Sequence, residues 1–241
     1  MNDDMILKVN GDIDLIQKKN GLYFGTDALL LAAFIKKSKK SIALDYGSGS
    51  GIISMLCAKK NKLKHIYAVE IQNEYYEIIK QNIKINDLDD VITPVFADIK
   101  NINIESDIIF TNPPYMKIDS GEKNKRFYKY IARHEVFGDI NLFCAAAAAS
   151  IKCGGLFYIV YRPDRMIDLL CAMRKNDIEP KRLLTVYQDI YHKPSFILVE
   201  GKKNAMPSLT TPKPFIMYDG NKITKELAYI YENGDFDEQF I

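Results

Sequence analysis

The stretch Ala43-Leu44-Asp45-Tyr46-Gly47-Ser48-Gly49-Ser50-Gly51-Ile52 leaves an apolar run, passes three alternating glycines and enters the helical pattern of Ile53, Leu56 and Cys57. Glycines let the backbone run close beneath a ligand and open a helix N-terminus toward it. The dinucleotide fingerprint needs its third glycine three positions after the second. Ile52 stands there, and the third glycine is Gly51. Asp45, at the entrance of the loop, would repel a pyrophosphate. A carboxylate suits a cationic ligand carrying an ammonium and a sulfonium. The loop therefore reads as the seat of a cofactor with an amino-acid tail. A glycine loop alone is weak evidence, so the rest of the chain has to agree with it.

Downstream, Asn112-Pro113-Pro114-Tyr115 follows the apolar run Ile108-Ile109-Phe110. A strand ending there presents an Asn carbonyl oxygen and the Pro113 backbone carbonyl, two acceptors for a planar amine. Tyr115 adds a face on which a flat base can stack. The plain alternative is a Pro-Pro turn after a buried strand. The loop and this tip together, at a compatible separation, make the stronger signal.

Between and after them, strands and helices alternate: strands at 42–46, 65–71, 91–96, 107–111 and 156–161, helices at 52–60, 73–86, 140–152 and 163–175. Alternation of this kind implies a mostly parallel α/β sheet covered on both faces. The last two strands, 182–188 and 195–200, have no room for a helix between them and should form an antiparallel pair at the edge. The expected fold is thus a Rossmann-like, seven-stranded α/β sheet. Residues 1–40 read as a helical lead-in, with Thr26 as the N-cap of a helix to about Lys37. Residues 41–203 read as the core. Residues 204–241 read as an appendage with an Asp219-Gly220 turn and a small helix near 224–231.

In such a sheet, ligands lie beyond the carboxyl ends of the strands. Asp45, Glu70 and Asp98 stand at such ends. Glu70 can accept from both ribose hydroxyls, as acids do in dinucleotide folds, and Asp98 can accept from an adenine amino group. Each could instead cap the next helix or turn. Asp45 either meets the methionine ammonium or shapes its loop. Residues 117–133 carry six cations, among them Lys123, Lys125, Arg126 and Arg133, against two carboxylates, with Phe127, Tyr128 and Tyr130 interleaved. Cations and aromatics beside the tip suit a phosphate backbone and splayed bases, although a solvated loop explains them too. Lys36–Lys40 and Lys59–Lys64 read as solvated helix ends.

The 241 residues, 47% of them hydrophobic, suffice for one large core, and a net charge of +2 imposes no global field. The four cysteines form no Cys-x-x-Cys pair and the three histidines are far apart, which argues against a disulfide frame and a metal centre. An acidic N-terminus without a basic n-region gives no signal peptide, and the Ala28–Ile35 run is too short to span a membrane. A cytoplasmic protein is expected. The sequence does not fix an oligomeric state, and a monomer would suffice.

Taken together, the DYGSGSG loop and NPPY resemble a class I S-adenosylmethionine-dependent methyltransferase of the amino-group type. With Gly21–Leu30, Ala132-Arg133-His134-Glu135 and Tyr218-Asp219-Gly220 added, the chain resembles the bacterial valine-tRNA adenine-37 N6-methyltransferases over nearly its whole length. That resemblance implies tRNA as partner and S-adenosylmethionine as cofactor. It implies Thr26, Asp45, Gly47, Gly49, Gly51, Glu70, Asp98 and Asn112 around the cofactor, and Asn112, Pro113 and Tyr115 at the reacting amine. Lys123, Lys125, Arg126, Arg133 and His134 would face the RNA, although a buried ion pair would explain Arg133-His134-Glu135 nearly as well. Glutamine methylation of a release factor needs the same NPPY geometry, but those enzymes carry a helical domain ahead of the core, and only 41 residues precede the core strand here. A DNA adenine methyltransferase would need a sequence-reading domain, and a non-catalytic RNA-binding module would not need both motifs.

Overall fold

A computed structural model describes residues 4–18, 24–113 and 140–240. The chain opens with a hairpin, β1 (Asp4–Val9) and β2 (Ile13–Lys18), where the lead-in was expected to be helical. Asn10 and Gly11, at φ 48 and 75, turn the corner, and the Asp12 N–H donates to the Val9 carbonyl at 3.2 Å. Asn-Gly favours a turn with positive φ at both central positions. Helix α1 (Thr26–Phe34) follows. Gly25, not Thr26, is its N-cap, and no side chain caps it.

The alternating part then runs β3 (Ser38–Tyr46), α2 (Ile52–Lys59), β4 (Leu63–Glu70), α3 (Asn73–Ile85), β5 (Ile92–Phe96) and β6 (Ser106–Thr111). After the undescribed stretch come α4 (Ile140–Ser150), β7 (Ile151–Tyr161), α5 (Met166–Lys175), β8 (Ile178–Tyr187) and β9 (Pro194–Lys203). The sheet order is β10-β8-β9-β7-β6-β3-β4-β5, where β10 (Phe215–Ile216) is a two-residue strand parallel to β8. Strands β7, β6, β3, β4 and β5 run parallel to one another in this order, and β9 is antiparallel to both β7 and β8. The expected seven-stranded sheet and its antiparallel pair are therefore present, extended at one edge by β10. Strand β7 starts earlier than the helical pattern of 140–152 suggested. Gly154, at φ 77, and a register shift against β6 let the strand begin at Ile151.

Two apolar cores flank the sheet. One gathers the hairpin, α1, α2, α3 and the C-terminal α6 (Lys225–Asn233). The other gathers α4 and α5. The C-terminal segment, which also holds the short pair β11 (Tyr218–Asp219) and β12 (Lys222–Ile223), joins the first core. Phe215 is fully buried and its ring meets Phe236 and Phe240 edge-on.

Hydrogen bonds that periodicity does not announce hold α1 and the hairpin. Lys62, expected among solvated lysines, is 1% exposed. Its Nζ donates to the carbonyls of Ala32, Ala33 and Ile35 at 2.8, 3.1 and 2.9 Å, and it pairs with Asp235. Arg182 donates to the Phe34 carbonyl at 2.9 Å and lies over the Phe34 ring. On α3, Asn82 accepts from Ile16 N–H at 2.7 Å and donates to Ile16 O at 3.1 Å, and Asn86 makes the same pair of bonds with Asp14 at 3.0 and 2.8 Å. These two amides bond to β2 as the backbone of a neighbouring strand would. Replacing Lys62 with Met keeps the stem but strips the helix carbonyls of their donor. Chemical denaturation should show a loss of about 3 kcal/mol, the scale set by buried carbonyls left unsatisfied; an unchanged midpoint would mean that water serves those carbonyls equally well.

Candidate active site

Because β3, β4, β5 and β6 run parallel, their carboxyl ends lie along one edge. That brings Asp45, Glu70, Asp98 and Asn112 together around the glycine loop. In the loop, Gly47, Gly49 and Gly51 have φ 69, 57 and 82, where side chains other than Gly are strained. The N–H groups of Gly47 and Ser48 both reach Val69 O, at 3.0 and 3.1 Å, which folds the loop over the end of β4. A Cβ at Gly47 or Gly49 would meet nothing within 4 Å, so the space beside both is open. Gly51 is the N-cap of α2.

Asp45 is 1% exposed. Its Oδ2 accepts from Ser54 Oγ at 2.6 Å, and its Oδ1 has no partner. Burial pushes the carboxyl up to about 7, helped by the negative Glu70 nearby and opposed by the Ser54 hydrogen bond. An orphaned buried carboxylate oxygen beside an open loop fits a cationic ligand group, as an ammonium is.

Glu70 is also buried, and its pKa is raised by that burial against the pull of its hydrogen bonds. Oε1 accepts from Ile71 and Gln72 N–H at 3.0 and 2.9 Å, and Oε2 accepts from Gly49 N–H at 2.9 Å. A carboxylate oxygen offers about two lone-pair directions. The remaining capacity lies on Oε2, enough for one ribose hydroxyl rather than the pair expected from sequence. Asp98 accepts from Lys100 N–H at 3.0 Å and caps the short turn Ile99–Asn101, so its capping role is realised.

Asn112 leaves β6 beside Tyr46, whose carbonyl accepts from Thr111 Oγ1 at 2.8 Å. Asn112 Nδ2 donates to Asp27 Oδ2 at 3.0 Å. A carboxylate is acceptor-only when ionised, so the amide nitrogen must face Asp27. Thr26, beside it, thus stands at the same edge. Pro113 is buried. Tyr115, Lys123, Lys125, Arg126, Arg133 and His134 lie outside the described residues. Sequence reading missed the part Asp27 plays, because an acid in the first turn of a helix already has an ordinary explanation. It missed Ser54 and Gln72 as well, which no motif marks. Among the described residues, no group of three His, Cys, Asp or Glu is placed to hold a metal ion, and no helix is long and apolar enough to cross a membrane.

Residues 31–119 match the family model of the TRM5/TYW2 methyltransferase domain. The chain is 28% identical over 184 residues to the tRNA1(Val) (adenine(37)-N6)-methyltransferase of Phocaeicola vulgatus, covering 68% of this chain and 76% of that one. The enzyme of the same name from Flavobacteriaceae bacterium strain 3519-10 is 22% identical over 226 residues, covering 92% and 94%. Both of these relatives bear the name of a tRNA adenine-37 methyltransferase. Among solved structures, a predicted O-methyltransferase, Atu636 from Agrobacterium tumefaciens, superposes with a TM-score of 0.67 at 17% identity, over 86% of this chain and 95% of that one. TYW2 from M. jannaschii in complex with AdoMet gives 0.58 at 16% identity, over 84% and 86%. The fold is that of the class I methyltransferases.

The raised Asp45 carboxyl sets a pH dependence. The folded value, about 7, lies above the ordinary 3.8. Between these values the native state holds a proton that the unfolded chain has lost, so stability falls as pH rises through that window. A bound ammonium favours the carboxylate, so binding S-adenosylmethionine below pH 7 should release a proton, and affinity should rise with pH up to about 7. Calorimetry in buffers of different ionisation enthalpy reads this directly, and Asp45→Asn should abolish it. Proton uptake, or none, in the native protein would remove Asp45 from the ammonium site.

Proposed function

We propose that this chain methylates N6 of an adenine in the anticodon loop of tRNA, adenine-37 of a valine tRNA, using S-adenosylmethionine. The observation that carries this reading is the placement of Asn112 at the end of β6, beside the glycine loop, with its amide turned by Asp27.

With Nδ2 committed to Asp27, the Asn112 oxygen is the end left to face an amine. An adenine N6 lone pair is conjugated with its ring, and N6 becomes nucleophilic as that lone pair localises. The Asn112 oxygen and the Pro113 carbonyl can accept the two N6 hydrogens and favour that tetrahedral nitrogen. They stabilise positive charge that develops only toward the transition state. S-adenosylmethionine supplies the methyl group on a sulfonium. Gly47 and Gly49 give it room, Asp45 takes its ammonium and Glu70 a ribose hydroxyl. Asp98 would meet the cofactor adenine with the oxygen that does not cap Lys100. Once methylated, the nitrogen is acidic and gives its proton to water. Tyr115 would stack the target base, and Lys123, Lys125, Arg126, Arg133 and His134 would meet the RNA around it. The kinship to tRNA enzymes favours this substrate over a release-factor glutamine. We infer a cytoplasmic enzyme.

Nucleoside mass spectrometry of tRNA, with the modified position mapped, should show N6-methyladenosine at position 37 of a valine tRNA only in cells that carry the gene. In single-turnover assays Asn112→Ala should lower methyl transfer by about 10²–10³ with cofactor affinity intact, the scale of one preorganised transition-state hydrogen bond. Asp27→Ala should lose much of the same rate, whereas Asp27→Asn, which keeps an acceptor for Asn112 Nδ2, should retain most of it. Near-normal transfer by folded Asn112→Ala would reduce NPPY to a strand-end turn.

A further inference from the structure

Strand β2 places Ile13, Leu15 and Gln17 on its inward side. Ile13 and Leu15 belong to the first core. Gln17 is 2% exposed, yet among the described residues both its Nε2 and its Oε1 lack a hydrogen-bond partner. Leaving an amide buried with its donor and its acceptor both unmet is costly, and native chains rarely do it without a reason.

The position of Gln17 supplies a reason. Strand β2 runs antiparallel to α3. Asp14 meets Asn86, Ile16 meets Asn82, and Lys18 pairs with Glu74 in the first turn of α3. Helix α3 begins just after the carboxyl end of β4, so the end of β2 that carries Gln17 reaches the ligand edge of the sheet. Asn82, which holds Ile16, also donates to Ser50 O in the glycine loop at 2.9 Å. Gln17 is thus flanked by one residue tied to the cofactor loop and another tied to the turn behind Glu70.

We propose that Gln17 is a ligand-reading residue that hydrogen-bonds the edge of an adenine. A carboxamide sets an acceptor beside a donor. The adenine edge sets an N6 donor beside a ring-nitrogen acceptor, a pairing known for Asn and Gln with adenine. A carboxylate, as on the cofactor's amino-acid tail, would satisfy Nε2 and leave Oε1 orphaned; adenine satisfies both. The adenine is the cofactor's, because both N6 hydrogens of the target base go to Asn112 and Pro113. The inference rests on the reading of this edge as a methyltransferase site with adenine ligands.

Gln17→Leu tests the assignment. The variant should fold with stability equal to or above that of the native protein, because the orphaned amide is gone. The Kd for S-adenosylmethionine should rise about tenfold or more. An unchanged Kd with a raised KM for an unmodified anticodon stem-loop RNA would put Gln17 against the RNA and overturn the proposal. A folded variant with native Kd and native KM overturns the proposal. So does a variant that is less stable but binds normally, since Gln17 would then have its partner within the protein. Should Leu prevent folding, Gln17→Met carries the same test. A native enzyme that binds S-adenosylmethionine but transfers nothing to RNA would count against the proposed function and leave the cofactor arm of this test standing.

Discussion

Four carbonyls at the C-terminal end of α1 meet two cations, and the rest of the site depends on that meeting. A helix leaves its last carbonyls without intrahelical partners. Here Lys62 takes those of Ala32, Ala33 and Ile35, and Arg182 takes that of Phe34. Positive charge also complements the negative end of the helix dipole. Glu200, 4% exposed and bonded to Arg182 and Lys36, balances that charge and ties it to β9. Helix α1 is nine residues long, so its other end is about one core radius away and rigidly coupled to the fixed one. That other end carries Asp27, and Asp27 sets the orientation of Asn112. A contact at the back of the molecule therefore governs the geometry at its front.

The two buried acids of the site divide their work by their partners. Glu70 is wrapped in backbone N–H groups, which join the glycine loop to the start of α3. Its charge serves the protein first and a ligand second. Asp45 has a single hydroxyl donor and an orphaned oxygen, and desolvation raises its pKa. Its unmet oxygen is open to a donor that the described residues do not supply. The contrast follows from neighbouring residues: the turn after Glu70 presents free N–H groups, whereas Asp45 is enclosed between β4, β6 and α2.

Much of this was legible in the sequence. The glycine loop, the acid at the end of each early strand and Asn112-Pro113 after β6 each concern a local run of residues whose chemistry is visible in one dimension. The alternating pattern carried the sheet and its antiparallel pair for the same reason. What was missed depends on residues distant in sequence. Lys62 sits in a lysine-rich run and differs from its neighbours only because α1 ends above it. Asn82 looks like a solvated helix residue until β2 is laid against α3. The hairpin itself was legible in Asn10-Gly11 between alternating apolar residues, a signal outweighed by the helical look of the segment after it. Thr26 was taken as a cap on residue type, but the chain places Gly25 there.

The side chains of Asn82 and Asn86 do for β2 what a neighbouring strand would do, and this bears on how the protein can be taken apart and rebuilt. The hairpin is outside the main sheet, and these two amides supply its backbone bonds to α3. Asn82 spends its second hydrogen on the glycine loop. Hairpin and loop therefore share one side chain and are held as one structural unit. An engineer who grafts a different N-terminal segment onto this core must supply backbone groups at the spacing of residues 14 and 16, or redesign position 82. Redesigning position 82 would in turn change the glycine loop, whose Ser50 carbonyl it holds.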